Sequence, residues 1–322
     1  MCALAMRGWP AVLLMGVLLL AGCTTPQSSA LRLRVDPAMP GRHELIDVAF
    51  YPQELYQCGP AALATLLRTA GVEVSPDALV AHVYRPGREG VLYTEIMAAT
   101  RLWGRLAYPL APRLSIVLAE VAAGRPVLVL QNLGWVMLPR WHYAVVVGYD
   151  LEREQIILRS GSTRRLVMPM MVFERTWARS GYWSMTVLSP EVIPEGVDGE
   201  GWIAATVALE RGSIAAARLA YQSAQKRWPS LLLAVIGAGN MAYGMGDLVA
   251  AEDAYRRAIE RHPTSADAWN NLATVLDELG RSVEALAAID RAIALAGPRI
   301  ESYRATRTSI ISRAMQSATT AM

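Results

Sequence analysis

At 322 residues the chain is long enough for two domains of ordinary size. With 53% hydrophobic and 18% charged residues it can build cores, which excludes a largely disordered chain. A net charge of +3, with no run of Lys or Arg, leaves no electrostatic footprint for nucleic acid. The chain opens "MCALAMRGWPAVLLMGVLLLAGC", with one early positive charge at Arg7, an apolar run from Ala11 to Leu20, and then small residues. That is the order of a secretory signal, and the run is short for a membrane span.

The closing "LAGC", Leu20 to Cys23, resembles a bacterial lipobox, in which the peptide is cut before the cysteine and the thiol carries a diacylglycerol. The resemblance implies a lipid on Cys23 that ties the chain to a membrane. Thr24, rather than Asp, is similar to lipoproteins sent to the outer membrane, so the expected location is the cell envelope, facing the periplasm. Residues 1–22 then form the signal peptide. Residues 23–45, beginning "TTPQSSALRLR" after the cysteine, read as a lipidated flexible tether. The alternative is a plain signal or anchor in which Cys23 is incidental.

Processing would remove Cys2 and cap Cys23, leaving Cys58 as the one free thiol of the three cysteines. Structural cysteines in an oxidising compartment usually come in pairs, so an unpaired one is a candidate for chemistry. Residues 46–190 are expected to form an α+β domain. Helical periodicity covers Gly59–Thr69, Thr94–Leu102 and Leu114–Ala123, followed by strand-like runs at Val127–Gln131, "HYAVVVGYD" and "QIILRSG".

In "CGPAALATLL" the cysteine stands at a helix start, with Pro60 suited to the first turn. The positive end of the helix and its free N–H groups should favour the thiolate, the attacking form. They also suit an oxyanion. The proton acceptor is expected at His142, which opens a strand after a loop holding Trp135 and Trp141; Cys–His is the activated pair of nucleophilic catalysis. His43, near the tether, and His82, at a helix end, begin no strand. The tryptophans (Trp103, Trp135, Trp141) read as core or rim packing, with Trp141 bordering a substrate groove. Arg159, Arg164 and Arg165 read as a solvated basic edge, with recognition of an acidic substrate as the sharper alternative. No paired Cys/His spacing points to a metal, and no cofactor is expected.

"QELYQCGPAALATLL" followed by "WHYAVVVGYD" resembles the bacteriocin-processing cysteine peptidases, a papain-like group that cleaves double-glycine leaders. "EGVLYTEIMAATRLWG" and "LSIVLAEVAAGRPVLVL" are similar to the pieces between, so the resemblance spans roughly residues 46–165. It implies a papain-like fold in which Cys58 is the nucleophile and His142 the general base and then acid. Gln53 would be the oxyanion donor, in preference to Gln57, although relatives place that glutamine six residues before the cysteine and here it is five. Relatives orient the histidine with an Asp on the following strand, where this chain has Ser160. Ser160, Asp150 or a backbone carbonyl are the candidates for that role. The expected activity is peptide hydrolysis through an acyl-enzyme. A decayed domain serving as a protein-binding scaffold is the alternative, as is acyl transfer or deamidation by the same dyad.

After a linker at 191–197, residues 198–322 are periodic. Gly212, Gly246 and Gly280 stand 34 apart, as do Ala217, Ala251 and Ala285, and Tyr221, Tyr255 and Ile289. The unit "ADAWNNLATVLDELGRSVEALAAIDRAIALAGP" resembles the tetratricopeptide repeat, which implies three helix pairs, a capping helix and a surface for a protein partner. "VIGAGNM" contains Gly-x-Gly but lies inside a repeat helix with no strand before it, so a dinucleotide loop is rejected. His262 at a repeat boundary is a turn or surface residue.

Overall fold

The computed structural model describes residues 25–33, 39–52, 58–83, 91–135 and 137–320. The expected signal segment, Cys23, Gln53 and Gln57 lie outside the described residues. The chain divides into two compact units, residues 1–100 with 107–187, and 101–106 with 188–322.

The first unit is organised by a sheet. Its strands are β1 (Arg42–Glu44), β2 (Leu106–Pro109), β3 (Val127–Asn132), β4 (Trp141–Asp150), β5 (Gln155–Ser160), β6 (Thr163–Pro169) and β7 (Ser184–Leu188). They run in the order β2-β7-β3-β4-β5-β6, with β1 also on β4. β3 and β5 flank β4 in antiparallel register, and β1 continues the edge that β3 leaves, pairing Glu44 with Gly148. The register of β4 against β5 shifts between Val146 and Gly148. A Cβ on Gly148 would stand 2.9 Å from the His43 carbonyl oxygen, so only glycine admits β1 there.

Helices cover β4 on both sides, which is why its sequence reads as an unbroken apolar run rather than an alternation. The helices are α1 (Pro26–Leu33), α2 (Cys58–Thr69), α3 (Pro76–Val83), α4 (Tyr93–Leu102), α5 (Leu114–Ala122) and α6 (Met170–Ala178). Ala144 and Val146 pack with Leu114, Val117, Leu118 and Val121 of α5 and with Phe173 and Trp177 of α6. α2, whose Leu63, Leu66 and Leu67 are fully enclosed, also packs on β4.

Two parts of the expected tether are built into this unit. Pro26–Leu33 is helical, and Arg42–Glu44 is a strand, so residues 23–45 are not a tether throughout. The physical reason is Glu174 of α6, a carboxylate only 1% exposed. It accepts the backbone N–H groups of Gln27 (2.9 Å) and Ser28 (2.6 Å) and the Ser28 hydroxyl, capping α1 from another helix. Gln27 in turn accepts the Leu114 N–H and donates to the Pro112 carbonyl, joining α1 to the start of α5. Glu174→Ala is expected to strip these donors of their acceptor and cost about 2 kcal/mol in urea unfolding. Proteolytic cleavage between Pro26 and Leu33 should appear with it.

β6, α6 and β7 were not anticipated. β6 carries Arg164 and Arg165 outward on an exposed strand, and α6 is only nine residues long, begun by Pro169.

The second unit holds the paired helices α7 (Gly199–Leu209) and α8 (Ile214–Arg227), α9 (Leu232–Gly244) and α10 (Leu248–Arg261), α11 (Ala266–Glu278) and α12 (Ser282–Leu295). α13 (Ile300–Thr320) follows. Gly246 and Gly280 take φ of 78° and 76° after α9 and α11, where an Asp247 N–H bonds Ala242 and an Arg281 N–H bonds Leu276. That is the Schellman close, which glycine enters without strain. The Gly-x-Gly of α9 has a packing origin. A Cβ on Gly237 would lie 2.1 Å from the Tyr221 ring, and one on Gly239 2.6 Å from the Tyr255 ring. Tyr221 of one repeat therefore rests on a glycine of the next, and Tyr255 on a glycine of its own helix pair. Tyr221 is pinned by its 2.6 Å bond to Glu210, so it has little room to step aside. Gly237→Ala should cost about 3 kcal/mol of unfolding free energy, at the top of the overpacking range. Part of the loss should return in Gly237→Ala with Tyr221→Phe, where the ring is released from Glu210.

Candidate active site

α2 begins at Cys58 itself, with Gly59 and Pro60 in its first turn. The backbone N–H of Tyr143, on β4, and that of Gly59, at the open end of α2, donate toward the sulfur. Tyr143 follows His142 on β4, so the thiol is held against the peptide that joins those two residues. Burial outweighs these donors and pushes the Cys58 thiol above its ordinary value. The expectation of a favoured thiolate is thereby corrected: desolvation of the charge dominates the helix-end effect.

His142 Nε2 lies 2.8 Å from Ser160 Oγ. Ser160 is one step beyond the Val145–Arg159 pair, so the two side chains are diagonal neighbours on adjacent strands. With Nε2–H donating to the hydroxyl, Nδ1 carries the lone pair that can take a thiol proton. The ring is held below the ordinary imidazole value, first by burial and then by repulsion from Arg140. Burial thus favours the neutral form of each group, thiol and imidazole.

Asp150 stands at the far end of β4, eight residues or about 26 Å of strand from His142. Its carboxylate accepts the Arg153 N–H at 2.9 Å and shapes the β4–β5 turn, so it is not the orienting residue. Gln53 lies outside the described residues.

Within the arginine cluster, Arg164 and Arg165 are exposed on β6 as a solvated edge would have them, and Arg159 alone departs from that reading. Arg159 is buried, and its guanidinium donates to the carbonyls of Leu45, Ile46, Val48 and Arg164. Arg165 forms a two-bond pair with Glu44 at 2.8 and 2.9 Å. Neither is spent on a substrate carboxylate. Trp103 belongs to the second unit, while Trp135 and Trp141 are exposed. His43 lies in β1, His82 in α3, and His262 bonds the Ser230 carbonyl.

The wall beside the thiol was not read from the sequence. A Cβ on Gly59 would touch Val91 at 3.0 Å, and the Tyr143 hydroxyl donates to the Val91 carbonyl. Trp183 lies tilted against Tyr93 at 5.4 Å and meets Tyr143 edge-on at 6.1 Å. They come from four distant stretches of the chain, around Gly59, Val91, Tyr143 and Trp183, with no spacing that would have joined them.

Residues 45–185 match the Peptidase C39 like family, and residues 236–299 match the tetratricopeptide repeat. The chain carries a C39-like peptidase domain followed by tetratricopeptide repeats. A C39-like peptidase from Bacillus anthracis is 19% identical, aligning 46% of this chain with 97% of that one at a TM-score of 0.38. The peptidase domain of Streptococcus ComA, a bifunctional ABC transporter of a quorum-sensing pathway, is also 19% identical. It covers 44% of this chain and 98% of its own, with a TM-score of 0.36. MamA is similar over 36% of this chain and 68% of its own, at 20% identity and a TM-score of 0.29. No curated protein matches the chain.

Proposed function

We propose that the chain is a thiol peptidase of the bacterial cell envelope, held by lipid on Cys23 and facing the periplasm. The observation that carries this reading is the 2.8 Å bond from His142 to Ser160 beside a thiol under the Tyr143 N–H. A substrate carbonyl enters beside Leu92 and Tyr93, which stay half-exposed next to Trp183. The Cys58 proton passes to His142 Nδ1 as sulfur bonds to carbon, and backbone N–H groups at the start of α2 receive the oxyanion, with Gln53 as the side-chain donor. His142 returns the proton to the departing amine, and water then breaks the thioester with His142 as base. The tetratricopeptide repeats bind a protein partner or a segment of the substrate protein.

A second reading, a decayed peptidase domain in a binding scaffold, is favoured by Ser160 standing where relatives have an Asp. Labelling with a peptidyl vinyl sulfone, followed by intact mass and a peptide-library digest, separates the two. The peptidase reading expects single addition at Cys58, lost in Cys58→Ser, together with cleaved peptides. Labelling no faster than that of denatured protein, with no cleavage, would sustain the scaffold.

A further inference from the structure

β3 and β4 are joined by a hairpin connection whose described residues are largely apolar and exposed. Trp135 is 81% exposed, Met137 88%, Leu138 78% and Trp141 52%. The hairpin is built rather than loose. Leu133 N–H bonds Arg140, Trp135 N–H bonds Leu138, and the Asn132 side chain accepts the N–H groups of Gly134 and Arg140 at 2.9 Å each. A Cβ on Gly134 would stand 2.3 Å from the Leu138 carbonyl oxygen, so the two arms close against each other. Arg179, which caps α6, donates to the carbonyls of Asn132 and Gly134 and fixes the hairpin base. A fixed fold that spends two tryptophans, a methionine and a leucine on solvent has a surface to cover.

What covers it follows from where the described chain begins. Thr25 and Ser28 are buried, and Ser28 is bonded to Glu174. Cys23 precedes Thr25 by two residues, so covalent reach alone keeps its sulfur-bearing residue within about 7 Å of Thr25. Glu174 and Arg179 are five residues apart along α6, about 7.5 Å of helix. α1 and the apolar hairpin are thus fastened to one short helix, α1 at Glu174 and the hairpin at its cap, Arg179. The hairpin sequence from Leu133 to Trp141 holds Arg140 and no acidic residue, which suits an anionic lipid surface.

We infer that the hairpin of Trp135, Met137, Leu138 and Trp141 is a second membrane contact, dipping into the bilayer interface beside the lipid on Cys23. Tryptophan and methionine side chains settle at the headgroup boundary, while Arg140 stays at the phosphates. The inference rests on the proposed lipid anchor. It also goes beyond it: β4 leaves the hairpin with His142 as its second residue, so the C39-like site opens at the membrane surface and meets substrates there.

The test uses the full chain in phosphatidylethanolamine–phosphatidylglycerol vesicles whose acyl chains are brominated near the headgroup. Trp135→Phe with Trp141→Phe is expected to lose most of the bromine quenching of tryptophan emission. In the unlipidated Cys23→Ser chain, Leu138→Glu should lower vesicle partition about tenfold, the worth of one buried leucine. Mass analysis of Cys23 reports the anchor separately. Lipid present with quenching unchanged by the Phe pair overturns the inference and leaves the anchor standing. If Cys23 bears no lipid, the chain is simply mixed with the vesicles, and the absence of Trp135-dependent quenching overturns it equally. Emission of these tryptophans that responds to an apolar peptide and not to vesicles would make the hairpin a substrate rest instead.

Discussion

Ser160→Asp is expected to speed alkylation of Cys58 by iodoacetamide about tenfold near neutral pH. The serine hydroxyl sits 2.8 Å from His142 Nε2 and brings no charge. A carboxylate there would favour the imidazolium, raising a ring that burial and Arg140 now hold low. The imidazolium would in turn draw down the thiol that burial now holds high. An opposite charge at this range moves a pKa by about one to three units. Part of that gain is returned, because a thiolate of lower pKa is a weaker nucleophile, with a Brønsted slope of about 0.5. The rate–pH curve should accordingly shift toward acid in the variant. A rate that stays flat or falls would mean that Ser160 does not support the ring in solution.

The second large effect is His142→Ala, which should lower kcat/KM on any cleaved peptide by about a hundredfold to ten-thousandfold. The sign with pH follows from the direction of each shift. A ring held low stays neutral, and able to accept a proton, to a pH below the ordinary imidazole range near 6.5. The acid limb of any activity in the parent protein should therefore lie below that value. Without the ring only the thiol's own ionisation remains. Activity in the variant should climb with pH into and past the usual thiol range, since the thiol is held high. Identical profiles for parent and variant would remove His142 from the chemistry.

The candidate dyad was legible because local signals carry it. Cys58 announces a helix start through Gly59 and Pro60, and His142 announces a strand through the apolar run behind it. The repeats were legible through a period that survives substitution. Ser160 could be named as a candidate from its offset, but only the register of β4 on β5 brings it to Nε2 while sending Asp150 to the far turn. The state of the thiol was misjudged for a related reason. A helix end is visible in sequence, whereas the burial that overrides it depends on Val91 and Tyr143, distant in the chain. Arg159 and Glu174 show the same limit. Each is a charged residue that composition places on the surface, and each is enclosed because it satisfies backbone groups of a segment more than a hundred residues away.

The pairing of β1 with β4 sets where this domain can be cut. A fragment begun at Leu45, where the family match starts, would leave the backbone of Gly148 to Asp150 without its partner strand. It would also strip Leu31 from the core over α5 and α6 and take from the buried Glu174 carboxylate its donors on Gln27 and Ser28. Such a fragment should express as an aggregating or protease-sensitive product. A portion begun at Thr25 keeps both α1 on Glu174 and β1 on β4, so the residues N-terminal to the family match belong to the domain they brace.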